Sequence, residues 1–242
     1  DKETKMTDEI IALDLETTGL NPRTDSILEI GAVRIKNGRV EDTYAAFINI
    51  GKKIPEFIVG LTGITDEMAA GGLSLPEALE GFLDFAGETP VLGHNITFDY
   101  SFLKQNFANL GRNFDREGID TLAIAKKFLP ELPSRSLEAL CLHYGIGQEK
   151  KHRAYEDAVS AYRLYECLGR EFQSVSPAAF DPKPLFYQVK KESPITISQK
   201  RYLNDLIKYH RIETDAVPEK LTKSEASRMI NNIISRYGKI KR

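Results

Sequence analysis

Ile10-Ile11-Ala12-Leu13-Asp14-Leu15-Glu16-Thr17-Thr18-Gly19 places two acids, two residues apart, at the end of an apolar run that closes on a Thr-Thr-Gly turn. Alternate side chains of a strand point the same way, so Asp14 and Glu16 share one face. Two carboxylates held that close repel each other and lose hydration in a folded core, a cost that a divalent cation offsets. The pair points to a metal site. The competing reading is an edge strand with two solvated acids, and partners elsewhere in the chain must decide between them.

Around this run the chain alternates strand and helix signals. Glu9 to Leu15, Ile27 to Ile35 and Val40 to Ile50 are β-rich, and Lys36-Asn37-Gly38 is a hairpin turn between the last two. Three strands in an antiparallel meander are expected. Helical patterns follow at Pro76 to Ala86, Tyr100 to Leu110, Thr121 to Phe128, Leu137 to Tyr144 and Ala154 to Leu168, with a short apolar strand at Pro90 to Gly93. The fold class is α/β, a mixed sheet flanked by helices.

Two further segments supply candidate partners for the acid pair. His94-Asn95-Ile96-Thr97-Phe98-Asp99 follows the short strand directly, so Asp99 falls where strand hands over to helix and is able to cap that helix. His152-Arg153-Ala154-Tyr155-Glu156-Asp157 enters the next long helix. Its five-residue spacing lets a His at the entrance and an Asp one turn inside approach the same site. Each segment has an ordinary alternative, a helix cap for Asp99 and a surface residue for His152.

Taken in order, these three segments resemble the motifs of the DnaQ-like (DEDDh) 3'-5' exonucleases of the ribonuclease H-like superfamily. The resemblance spans about residues 8 to 170, and Leu61-Thr62-Gly63-Ile64-Thr65 is similar to the family's loop after the third strand. A sister group carries Tyr four residues before the final Asp. Here that position is Arg153, and His152 lies five before, which favours the histidine subclass.

The resemblance implies a ribonuclease H-like sheet and a two-metal centre. Asp14, Glu16 and Asp157 would hold one Mg²⁺ or Mn²⁺, and Asp14 would bridge to a second, with Asp99 assisting. His152 would take the proton from the attacking water. It also implies that the backbone around Thr17 and Thr18, with Glu16, meets the terminal 3'-hydroxyl. Leu20, Ile64 and Phe98 would pack on or between terminal bases, and His94 and Asn95 would orient the loop or contact phosphate.

Composition divides the 242 residues. Residues 1 to 182 carry 19 Lys/Arg against 29 Asp/Glu, and residues 183 to 242 carry 14 against 6, so a body at -10 precedes a tail at +8. Prolines 177, 182, 184 and 194 cluster at the change. The expected organisation is a nuclease domain over 1–175, a Pro-containing linker over 176–195 and a small basic helical domain over 196–242. Ser198 can cap a helix with a Tyr202, Leu203, Leu206, Ile207 stripe, and Thr222-Lys223-Ser224-Glu225 is a capping box before a second.

No apolar run reaches a membrane span and no signal-peptide core follows residue 1, so a cytoplasmic, non-membrane protein is expected. Cys141 and Cys167 alone indicate neither a disulfide framework nor a cysteine zinc site.

The favoured function is metal-dependent 3'-5' hydrolysis of single-stranded DNA to nucleoside 5'-monophosphates, of proofreading or repair type. A DNA polymerase or another replication or repair protein is the expected partner. The alternatives are an RNA-trimming or oligoribonucleotide-degrading enzyme with the same acids, and a non-catalytic adaptor that binds nucleic acid or a polymerase.

Overall fold

A computed structural model describes residues 8–147, 152–190, 193–214 and 217–240. Contacts divide the chain into two units, Asp1–Gln188 and Val189–Arg242.

In the first unit, β1 (Glu9–Thr17), β2 (Ile27–Lys36) and β3 (Arg39–Phe47) form the antiparallel meander. Helices α1 (Glu56–Thr62), α2 (Asp66–Ala70) and α3 (Leu75–Ala86) follow. Next come β4 (Val91–Gly93), α4 (Ile96–Asn109), β5 (Glu117–Asp120), α5 (Thr121–Phe128), α6 (Leu137–Tyr144) and α7 (Ala154–Phe172). The sheet closes with β6 (Lys183–Pro184), in the order β3-β2-β1-β4-β5-β6. Strands β4 and β5 run parallel to β1, and β6 pairs antiparallel to β5, so the sheet is mixed and ribonuclease H-like.

The alternation in β1 decides what each face buries. Ile11, Leu13 and Leu15 enter one core with Phe82 of α3 and Tyr100, Phe102 and Leu103 of α4. Ile10 and Ala12 enter the opposite core with Leu140 of α6 and Ala158, Ala161, Leu164, Tyr165 and Leu168 of α7. Each fully buried leucine there contributes about 1.5–3 kcal/mol over an exposed one. Asp14 and Glu16 therefore continue the row that faces α7, past the point where apolar packing ends.

Several local expectations change. Helix α4 begins at Ile96, so Asp99 sits inside its first turn; Asn95, in a left-handed conformation with φ 69°, is the N-cap and makes no side-chain cap bond. Strand β3 stops at Phe47, after which Ile48 bridges to Leu73 instead. Residues 177–187, within the stretch read as a linker, pack on the first unit. Phe180 is buried among Tyr165 and Phe128, and β6 adds an edge to the sheet because Pro184 needs no ladder donor there.

The second unit holds α8 (Ile197–His210) and α9 (Lys223–Tyr237), which bury Leu203 and Leu206 against Ile230 and Ile233. The Thr222–Glu225 capping box forms as the sequence suggests. The first helix is capped by Thr196 rather than Ser198: Thr196 accepts from Gln199 N–H at 3.2 Å and the Gln199 side chain accepts from Thr196 N–H at 3.1 Å. Among the described residues no helix is long and apolar enough to cross a membrane.

Candidate active site

Asp14, Glu16, Asp99, His152 and Asp157 line one cleft of about 310 Å³, together with Leu15, His94, Phe98, the α6 N-cap Ser136 and the first residues of α6, Leu137 and Glu138. Segments far apart in sequence reach it because β1 is central, α4 rises directly behind β4, and α7 packs across the face that carries the acid pair.

Two glycines permit that approach. Gly31 pairs with Asp14 across β1 and β2, and a Cβ there would lie 2.1 Å from the Tyr155 nitrogen and 2.2 Å from the Ala154 carbonyl carbon. Only glycine lets the start of α7, with its His and Asp, come down onto β2. At Gly93 a Cβ would meet the Leu13 carbonyl oxygen at 2.9 Å, so glycine also sets how closely β4 and the following loop meet β1.

The acids are crowded and largely withdrawn from water. Burial holds the Asp14 carboxyl well above the usual range, and Asp99, Asp157 and Glu16 push it further. Glu16 is raised to about 7, by burial first and then by Asp157 and Glu29, against the Arg153 guanidinium. Asp99, only 3% exposed, is also raised by burial, although its carboxylate accepts a 3.0 Å hydrogen bond from Leu15 N–H. Asp157 is raised by burial and lowered by His152 and by the backbone N–H groups of His152 and Arg153.

Clustered carboxylates that resist ionising for want of a counter-charge fit a divalent cation, and hard oxygen donors suit magnesium or manganese. One ligand atom from each of Glu16, His152 and Asp157 lies within 4.8 Å of the others. His152 is exposed, with φ 57°, a left-handed position that histidine tolerates better than most residues. That turn just before α7 brings both His152 and Asp157 to the cleft.

Sequence reasoning missed Glu29. It is 2% exposed on β2, directly opposite Glu16, and its carboxylate takes Arg153 Nη2 at 2.9 Å and Nε at 3.1 Å as well as the Ala154 N–H at 3.2 Å. The Arg153 guanidinium also stands 5.0 Å over the Phe47 ring. This clamp fixes the residue after His152. Its only signal in sequence is one acid interrupting Ile27-Leu28-Glu29-Ile30, with an arginine inside the third motif.

The other expected contact residues separate. His94 and Phe98 line the cleft, but both His94 ring nitrogens are committed, Nδ1 to Thr121 Oγ1 at 2.9 Å and Nε2 to the Arg135 carbonyl at 2.8 Å. Burial lowers its pKa, and the ring acts as a brace between loops. Asn95 is exposed, its N–H donating to Asp120 at 2.9 Å. Thr17 Oγ1 donates to the Gly19 carbonyl and Thr18 Oγ1 accepts from Ser26 N–H, so both side chains serve the turn after β1. Leu20 on that turn is 84% exposed. Ile64 is 0% exposed and packs with Leu28, Ile54 and Ile58, so its expected place among terminal bases gives way to the core beneath α1.

The exonuclease (RNase_T) family model matches residues 11–165. This chain belongs to that exonuclease family. The DNA polymerase III PolC-type protein of Clostridium perfringens is 36% identical over 151 residues, covering 62% of this exonuclease and 10% of that protein. The exonuclease thus spans about a tenth of the length of the curated relatives it matches.

Among solved structures, E. coli exonuclease I in complex with a dT13 oligonucleotide aligns with TM-score 0.62 at 21% identity, over 70% of this chain and 42% of that one. The nuclease domain of 3'hExo, a DEDDh family member bound to rAMP, aligns with TM-score 0.60 at 18% identity, over 74% and 98%. At these identities the likeness establishes the fold.

Proposed function

We propose that this exonuclease hydrolyses the last phosphodiester at the 3' end of single-stranded DNA, releasing a nucleoside 5'-monophosphate, with two Mg²⁺ or Mn²⁺ ions held by Asp14, Glu16, Asp99 and Asp157. The observation that carries the reading is the meeting of those four acids and His152 in one cleft. Bound there, two divalent cations lower the pKa of an attacking water and neutralise charge on the leaving oxygen.

The chain's own groups do the rest. Asp14, which feels the charges of Asp99, Asp157 and Glu16 together, would be the ligand shared by the two ions. His152, exposed at the cleft, takes the proton as the water oxygen bonds to phosphorus and the P–O3' bond breaks; solvent returns a proton to the departing O3'. Glu16 and the backbone of Thr17 and Thr18 receive the terminal 3'-hydroxyl. Phe98 and the exposed Leu20 meet the terminal bases by packing, which is tolerant of sequence.

Proofreading or repair beside a DNA polymerase, in the cytoplasm, completes this reading. The PolC-type relatives support it, because the matching segment in them is part of a DNA polymerase III protein. The test is incubation of 3'-labelled and 5'-labelled DNA and RNA strands with Mg²⁺, with Mn²⁺ and with chelator. Early release of the 3' label from DNA, abolished by chelator, is expected. Faster loss from RNA would move the assignment to an exoribonuclease, and no release with either metal would leave a binding adaptor.

A further inference from the structure

The second unit carries 13 Lys/Arg against 6 Asp/Glu, whereas residues 1–188 carry 20 against 29. Part of that positive charge is organised on one helix face. In α8, Leu203 and Leu206 are buried against α9, which forces the opposite side of the helix outward. At about 100° per residue, Ile197, Arg201, Asn204 and Lys208, with Arg211 at the C-cap, fall on one stripe, and all five are exposed. Asp205, the sole acid of that helix, lies at the edge of the stripe. Lys200 beside it is already bound to Glu219 at 2.7 Å and is not counted.

We propose that this face of α8 binds the phosphates of a single nucleic-acid strand, through Arg201, Lys208 and Arg211, as a grip separate from the cleft. Charge complementarity selects the occupant: three cations against the single acid at their edge, Asp205, suit a polyanion. Arg201 to Arg211 spans about 15 Å of helix, enough to face several consecutive phosphates of one strand. The exposed Ile197, one turn before Arg201, and Asn204 between the cations offer sequence-tolerant contact, as a processive or repeatedly rebinding enzyme needs. The acidic surplus of the first unit makes such a grip useful, since the body alone repels a strand outside its metal site. The identity of the strand rests on the proposed exonuclease activity; the grip itself does not.

The test compares the full chain with a variant carrying Arg201→Gln, Lys208→Gln and Arg211→Asn, asparagine being chosen because Arg211 sits at φ 52°. Affinity for a fluorescent oligo-dT is measured in chelator across salt. Each lost phosphate contact removes about 0.7 from the slope of log K against log salt, so wild type should lose about 15–20-fold more affinity than the variant between 50 and 200 mM salt. Hydrolysis of a chromogenic mononucleotide phosphodiester, too short to reach any second contact, should be equal in both. A charge-conserving variant, Arg201→Lys with Arg211→Lys, should keep the wild-type slope. An unchanged slope in the neutral variant overturns the proposal and leaves this face to an acidic protein. Equal slope loss in the lysine variant also overturns it, by tracing the effect to structure. If neither protein cleaves the mononucleotide ester while the slopes still differ, the exonuclease reading fails and the grip stands.

Discussion

Removing either half of the Glu29–Arg153 clamp should hurt unequally, because the two charges are buried to different depths. The Glu29 side chain is 3% exposed and that of Arg153 29%. Arg153→Met strands a carboxylate in the dry interior opposite Glu16, and breaking a buried pair this way costs about 3–5 kcal/mol. For a domain of this size that corresponds to a fall of about 6–20 °C in Tm.

Glu29→Gln instead leaves a guanidinium that can turn toward water and keep its place over Phe47, and the amide oxygen still accepts from Ala154 N–H. It also removes one of the like charges that raise Glu16. The cost should be about 1.5–3 kcal/mol, the worth of one charged hydrogen bond. The double variant strands nothing, so it should be more stable than Arg153→Met alone.

Urea unfolding of the four proteins gives the cycle, and kcat/KM at a temperature where all are folded gives the functional side. Activity should stay low in the double variant, since stability is recovered without re-fixing the turn that carries His152. Losses that add within about 0.5 kcal/mol would refute the coupling. Activity recovered along with stability would refute the positioning role.

Three further outcomes follow from the site. His152→Ala should lower turnover about 10²–10⁴-fold while Mn²⁺ binding persists, and near-wild-type turnover would remove it as general base. Gly31→Ala should push the start of α7 off β2, costing about 1–3 kcal/mol in a urea melt, with a larger loss in kcat than in substrate affinity. In chelator, the raised Glu16 contributes stability that is complete below about 4.5, the unfolded value, and is lost as pH rises through about 7. Metal-free Tm should therefore fall across that window from this group, and saturating Mg²⁺ at 100 times its Kd should restore about 2.7 kcal/mol at pH 8. A metal-free Tm that rises through pH 4.5–7, with no Mg²⁺ effect, would contradict the crowding of the acids.

What the sequence made legible follows a physical divide. The β1 run could be read because its alternation separates two cores, and because Asp14 and Glu16 continue one row where leucines and isoleucines would otherwise stand. Helices α5 and α6 are bounded as their periodicity predicts, and α7 runs four residues further than expected. Helices α1 and α2, at seven and five residues, were not seen, since neither is long enough to show a period. Strands β5 and β6, four and two residues long, exist through pairing rather than propensity.

In the site, motif spacing located the residues that reach the cleft but not those that hold them there. Glu29, Gly31, Thr121 and Arg135 act through contacts across 27 to 125 residues of chain, and no local pattern records such distances. Ile64 was misplaced for a related reason: an apolar residue in a loop looks the same whether it faces substrate or core.

Equilibrium Mn²⁺ binding, followed by electron paramagnetic resonance in wild type and in Asp14→Asn, tests the metal centre most directly. Two saturable ions per chain at neutral pH are expected in the wild type, and at most one, weakly held, once the bridging carboxylate is gone. A wild-type chain that binds no Mn²⁺ saturably, or an Asp14→Asn variant that binds both ions as well as wild type, would contradict a centre built on Asp14.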